Sequence, residues 1–237
     1  MAEGNSVMDE IRAQHQKMKG KTPKEKFQYF WEYYRIPTIV TIVVAALVGN
    51  LIYTMVTAKD TAFAVVLING YTDMDTTAYM SGFEEFAQID TKEYSTNMEA
   101  NFTIDHQSSD QYAMANLQKL MALVAAKELD VIIADEDTLL NYAQAGYFHN
   151  LNEALPQETL DKYKDDFLYC DLPEDTIEGK VPVAIRVTDT PLLTETQAYA
   201  AYPDAWLGAI INSEHPEYLD TFLQYLENTP AEAEAEE

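Results

Sequence analysis

Residues 112–146, YAMANLQKLMALVAAKELDVIIADEDTLLNYAQAG, decide the fold class. Tyr112 to Leu129 reads as a helix, with Ala113, Leu117, Leu120, Met121 and Val124 forming one apolar stripe at helical spacing. Asp130 to Asp135 follows, Val-Ile-Ile-Ala between two aspartates, a short apolar run suited to a strand covered on both faces. A second helix runs from there through Ala145, and Gly146 offers the left-handed residue that ends it. Helix, doubly covered strand and helix in direct succession imply an α/β domain.

The pattern repeats outward from this stretch. Phe63 to Ile68 is another apolar run, stopped by Asn69-Gly70. Tyr79 to Ile89 is helical by pattern with Phe83 and Phe86 inward, and Asn101 to His106 alternates as a second strand. The order β-α-β-α-β-α implies a mainly parallel sheet with right-handed crossovers. Beyond Gly146, Pro156 to Tyr169 reads as a polar, helical connection. Val181 to Val187 reads as a strand in which Pro182 marks an end or an edge. Trp206 to Asn212 is the last strand. Ser213-Glu214-His215-Pro216 opens a final helix with Tyr218, Leu219, Phe222, Leu223 and Leu226 inward. These elements place an α/β lobe over 59–228, and the Ala-Glu repeats of 229–237 read as a disordered acidic tail.

A different kind of segment precedes the lobe. Ile36 to Ala58, IPTIVTIVVAALVGNLIYTMVTA, has no charged residue and no histidine. As a helix at about 1.5 Å per residue it reaches roughly 34 Å, enough to cross a hydrocarbon core of about 30 Å. Val56-Thr57-Ala58 resembles a signal cleavage site, but the apolar run is about twice a usual signal core, so 36–58 is read as a transmembrane anchor. Thr22-Pro23-Lys24-Glu25 begins a helix over 22–35 by a capping box with proline at the first helical position. Phe27, Phe30, Trp31 and Tyr34 line one side of it. Such an aromatic, lysine-bearing helix suits the headgroup layer of a lipid bilayer, and the rival reading packs it on a partner membrane protein. Residues 1–21 are polar and expected to be mobile.

Charge divides at the same place. The chain has 15 basic and 40 acidic residues, net −25. Residues 1–35 hold seven of the basic residues and five of the acidic ones, which leaves eight basic and 35 acidic, net −27, for 59–237. Basic residues flanking a span set its orientation, so the N-terminus is expected in the cytoplasm and the lobe outside, at the cell membrane. The acidic lobe excludes nucleic acid as a partner by repulsion. Cys170, the one cysteine, precludes an intramolecular disulfide and reads as a small buried hydrophobe.

In open α/β sheets ligands gather at the carboxyl ends of strands. The candidate rim is therefore Tyr71, Asp73, Ser109, Asp110, Asp135, Asp137 and Asp189, acidic and rich in hydroxyls. The same residues fit plainer roles: Ser109, Asp135 and Asp137 as helix caps, Asn69-Gly70 as a turn. The four histidines, 15, 106, 149 and 215, show no zinc spacing, and Asp135 with Asp137 lacks the glycine of a calcium loop. The chain has no G-x-S-x-G elbow, H-E-x-x-H pair or phosphate-cradling glycine loop. No enzyme, no cofactor and no metal is expected.

Two segments resemble extracellular solute-binding proteins of ABC importers. Residues 118–156, QKLMALVAAKELDVIIADEDTLLNYAQAGYFHNLNEALP, look like the first-lobe succession of helix, strand, a helix ending in Ala-Gly-Tyr-Phe, and a Leu-Pro turn. Residues 206–227, WLGAIINSEHPEYLDTFLQYLE, are similar to the C-terminal strand and helix, and VPVAIRVTDTPLL between them looks like the strand returning to the first lobe. The resemblance implies a single periplasmic-binding-protein-like lobe, because only Pro156 to Lys180 stands where a second lobe belongs. One lobe leaves a small-molecule ligand weakly held or unbound. It implies an interaction module for an extracytoplasmic or membrane protein partner or, alternatively, a solute receptor or sensor working with an ABC permease.

Overall fold

A computed structural model describes residues 22–57, 59–105, 110–171 and 179–231, in two units, Met1–Ala58 and Lys59–Glu237. The expectations for 1–21, His106, Ser109 and 232–237 lie outside the described residues.

In the first unit, Pro23–Thr57 forms one continuous helix, α1, so the two segments expected at 22–35 and 36–58 are not separate. The capping box is present: the Thr22 backbone N–H donates to Glu25 Oε2 (2.8 Å), and the Glu25 N–H donates to Thr22 Oγ1 (3.4 Å). The helix runs through Pro37, which lacks the N–H that the carbonyl four residues earlier would accept. Arg35–Thr57 has mean hydropathy 2.3 and none of it is buried, so this one helix is long and apolar enough to span a membrane. The Phe27 and Trp31 rings stack at 6.2 Å and 16°, both exposed.

The second unit is a mixed α/β fold around one six-stranded sheet. Its elements are β1 (Asp60–Ile68), α2 (Thr76–Phe86), β2 (Tyr94–Phe102), α3 (Gln111–Ala126), β3 (Val131–Ala134), α4 (Glu136–Gln144), α5 (Leu151–Ala154), α6 (Gln157–Lys162), β4 (Phe167–Cys170), β5 (Val181–Arg186), α7 (Pro191–Thr196), β6 (Trp206–Ala209) and α8 (Tyr218–Asn228). The strand order is β2-β1-β3-β6-β5-β4. β1 is parallel to β2 and to β3, but the pairs β3–β6, β6–β5 and β5–β4 are antiparallel. The expected mainly parallel sheet is thus parallel only in its first half.

Period-two alternation sends successive residues to opposite faces. Phe63, Val65 and Leu67 join α2, α7 and α8 on one face, while Ala64, Val66 and Ile68 join α3 and α4 on the other. The first face is aromatic, with Phe63, Phe83 and Phe222 meeting at centroid distances of 5.0–5.4 Å. Chain order runs from β1 outward to β2 and then back across β1 to β3. Two crossovers of the same hand in opposite directions put α2 and α3 on opposite faces, and the gap between β1 and β3 is the switch point.

Several local expectations shift. β2 begins at Tyr94 rather than Asn101, the connection from Pro156 contains β4, and β6 ends at Ala209. Phe86 and Met121, expected inward, are 46% and 54% exposed. Of the α8 stripe, Leu219, Phe222, Leu223 and Leu226 are buried as read, Tyr218 is half-buried, and Tyr225 is buried as well. Pro182 occupies a strand end: pairing of β5 with β6 starts only at Ala184, and β4 is irregular between Leu168 and Tyr169. Cys170 is buried, and burial pushes its thiol pKa up. The chain stays packed beyond Asn228: Ala231 is buried and its N–H donates to Glu195 Oε2 (2.7 Å).

Candidate ligand-binding rim

The carboxyl ends of β1, β2, β3 and β5 share one edge of the sheet, where a ligand of an open α/β fold would sit. Parallel strands end there in carbonyls that lack partners unless something donates to them. At the switch point that donor is Tyr199, from the loop after α7. Its hydroxyl lies 2.9 Å from the Ile68 carbonyl and 2.6 Å from the Ile133 carbonyl, the ends of β1 and β3. One proton serves one carbonyl at a time. The ring is buried, and burial holds the phenol neutral far above its ordinary pKa of 10.0. Its fit is close: a Cβ on Gly70 would stand 2.7 Å from the Tyr199 ring, so a side chain at Gly70 would displace it. Where the topology creates a crevice, a tyrosine fills it.

The neighbouring polar groups are turned inward too. Asn69 and Asn101 both adopt left-handed backbone, at φ 58° and 60°. Each then uses its amide as a piece of strand. Asn69 donates to the Ile104 carbonyl (3.2 Å) and accepts from the Ile104 N–H (3.0 Å). Asn101 donates to the Thr72 carbonyl (2.8 Å) and accepts from the Thr72 N–H (3.1 Å). The ends of β1 and β2 are clamped reciprocally.

The expected rim residues fall into separate places. Tyr71 is exposed and its hydroxyl meets Thr103 Oγ1 at 3.0 Å. Asp73 is exposed. Asp110 caps α3, accepting from the Ala113 N–H (3.3 Å). Asp135 caps α4 through the Thr138 N–H (3.1 Å) and hydroxyl (2.7 Å), while Asp137 lies exposed in that helix's first turn. Asp189 belongs to another node, with its Oδ2 2.7 Å from Arg186.

Arg186 went unnoticed in the sequence reading, although it is the only arginine beyond Arg35. Standing at the end of β5, it contacts Asp166 (2.9 Å), Asp189 (2.7 Å) and Asp204 (3.6 Å), carboxylates from three different loops. The hydrogen bonds it donates to Asp189 and Asp166 raise its pKa, so it remains charged. A hollow of about 300 Å³ lies beside it, lined by Tyr163, Asp189, Pro191 and Leu223 among others. A second, of about 380 Å³, is bounded by Asp189, Leu193, Tyr199 and Tyr202. Both lie at the low end of ligand-pocket size, and neither joins Asp189 to Asp135 or Tyr71. A groove of about 650 Å³ runs between α6 and α8, and much of its polar lining is paired internally, Lys162 and Tyr163 with Glu227, and Thr159 with Asp220.

At the opposite end of the sheet Asp130, Ser213 and His215 come together, three residue types that can form a nucleophilic relay. Their connections are those of a structural tie. Ser213 donates to Asp130 Oδ1, the His215 backbone N–H donates to Ser213 Oγ (3.2 Å), and the His215 ring turns to Glu217 (3.2 Å). Asp130 Oδ2 also accepts from the Ala64 N–H at 2.7 Å. Burial pushes the Asp130 carboxyl up, against the lowering effect of these hydrogen bonds. Among the described residues no three His, Cys, Asp or Glu side chains converge as a metal ion requires. No protein family, curated protein or solved structure matches the chain.

Proposed function

We propose that this is a non-enzymatic, single-pass membrane protein that displays one lobe of the solute-binding-protein type outside the cell and uses it to hold a protein partner. The observation that carries the reading is the filled switch point. A receptor that closes two lobes on a solute needs an open crevice at the strand ends. Here Tyr199 occupies it, and the Asn69 and Asn101 amides and the Asp110 and Asp135 carboxylates are engaged in the fold. What remains for recognition is an acidic exterior, net −27 over 59–237, suited to another macromolecule rather than to an enclosed sugar or amino acid. The basic residues of 1–35 favour a cytoplasmic N-terminus, and the apolar helix supplies the anchor.

A thermal-shift screen of the Lys59–Glu237 unit against sugars, amino acids, polyamines and short peptides tests the reading, with no shift expected. A true solute at about 100 times its dissociation constant would stabilise the unit by roughly 2.7 kcal/mol, several degrees for a domain of this size. A shift of that size at micromolar solute would instead favour the receptor that works with an ABC permease.

A further inference from the structure

The polar side chains of the apolar part of α1 divide into two kinds. Thr41, Thr54 and Thr57 donate their hydroxyls back to the carbonyls of Pro37, Asn50 and Tyr53, at 2.8, 2.9 and 2.7 Å. They are satisfied within their own helix, and hydrocarbon could surround them. Asn50 differs. Its side-chain amide, with two N–H donors and a carbonyl, has no hydrogen-bond partner among the described residues. It sits near the middle of the apolar stretch, where water cannot replace the missing partner.

We propose that α1 is a parallel self-association surface in the membrane, with Asn50 of one copy hydrogen-bonded to Asn50 of a second copy. The inference rests on the anchor reading above. The occupant follows from symmetry and chemistry. Copies of a single-pass chain inserted with one orientation are parallel, so Asn50 always meets Asn50 at the same depth. An amide both donates and accepts, so the like pair is complementary to itself. An unrelated helix would have to present a polar group at that depth independently.

The residues around Asn50 fit such a seam. Counting by heptads, Ile36, Val43, Asn50 and Thr57 take one core position, and Ile39, Ala46 and Tyr53 the other. A single asparagine at such a core position fixes the register of the pair. Ala46, one turn before Asn50, and Gly49, with open space around it, let two backbones approach closely. Against the pair stands the net charge of −27 on each lobe. That repulsion is screened beyond about 8 Å at physiological ionic strength, so association should strengthen with salt.

The test uses the full chain in phosphatidylcholine vesicles, with donor and acceptor fluorophores on the N-termini of separate copies. Energy transfer is followed as lipid dilutes the protein, and carbonate extraction reports membrane integration for each variant. Wild type should show transfer that falls on lipid dilution and rises with salt. Asn50→Leu should remain carbonate-resistant yet associate about tenfold more weakly, the effect of losing interhelical hydrogen bonds in lipid. Asn50→Gln, which keeps an amide, should restore much of the transfer. Resistant wild type without transfer, or undiminished transfer in Asn50→Leu, overturns the self-association and leaves the anchor standing. Wild type that carbonate extracts overturns the anchor reading and the pair with it.

Discussion

The two ends of the central strands are tied by buried side chains of opposite chemistry. At the carboxyl ends of β1 and β3 the backbone presents carbonyls, and the neutral Tyr199 phenol donates to them. Before the amino end of β3 the backbone presents the Ala64 N–H, and the Asp130 carboxylate accepts from it. Burial raises both pKa values, with different consequences. A phenol whose pKa rises above 10.0 stays in the form it already has at neutral pH. A carboxyl whose pKa rises above 3.8 moves toward the working range. The donor end is therefore indifferent to mild pH change, while the acceptor end carries a group whose protonation is shifted upward. Tying strand ends from outside the sheet has two solutions, and only the acceptor solution brings a charge indoors.

The largest test of this contrast is at Tyr199. Tyr199→Ala removes a buried ring wedged against Gly70 and should cost about 3–5 kcal/mol, read from urea unfolding of the Lys59–Glu237 unit. Tyr199→Phe keeps the ring and loses only the donor, so about 1–2 kcal/mol is expected, with the same loss at pH 5 and pH 8. A Phe variant as stable as wild type would show that the ring alone closes the switch point.

At the other end, Asp130→Ala leaves the Ala64 N–H and the Ser213 hydroxyl without their acceptor and should cost about 2–3 kcal/mol. Asp130→Asn should cost less, since its carbonyl still accepts from Ala64 and the Ser213 hydroxyl can accept from its amide. The two should also differ from wild type in pH dependence. Because the folded carboxyl holds its proton more tightly than the unfolded one, its stabilising contribution is complete below 3.8 and is lost as pH rises through the folded value. Wild type should therefore lose stability relative to Asp130→Asn as pH increases from 3.8 through that range. A gap that stays constant with pH would mean that the hydrogen bonds outweigh burial.

The smallest effect belongs to another buried tyrosine. Tyr79 is 2% exposed, yet its hydroxyl has no hydrogen-bond partner among the described residues. Tyr79→Phe should be neutral or slightly stabilising, within about 0.5 kcal/mol, because it removes a buried polar atom and no bond. Set beside Tyr199→Phe, it isolates what the two strand-end carbonyls contribute. Equal costs for the two substitutions would break the account of Tyr199 as a donor.

Periodicity read well where one face of an element is wholly covered. β1, β3 and the inward stripe of α8 lie close to where their patterns place them. It read poorly at partial burial. β2, YSTNMEANF, is an edge strand with much of its length half-exposed, so its polar residues concealed its start. The α3 stripe is apolar over a wider arc than its neighbours cover, which leaves Met121 out. β4 is only four residues long and follows a charged turn. Among the site residues, helix caps were legible because a cap needs only its own first turn, as at Asp135. Arg186 could have been found from charge alone, as a lone arginine among carboxylates.

The sequence by itself determined the apolar helix, the charge divide, most of the strands and main helices, and a cap such as Asp135. Each of these is a local property, set by side chains within a few positions of one another. Only the tertiary structure decided the reversal of β6 against β3, the three carboxylates gathered on Arg186 and the closing of the switch point. Tyr199 meets Ile68 across 131 residues of chain, and Asp130 meets Ala64 across 66. No periodicity extends over such separations. The partner of a buried polar group is set by which strand ends the topology brings beside it, and that is known only once the sheet has formed.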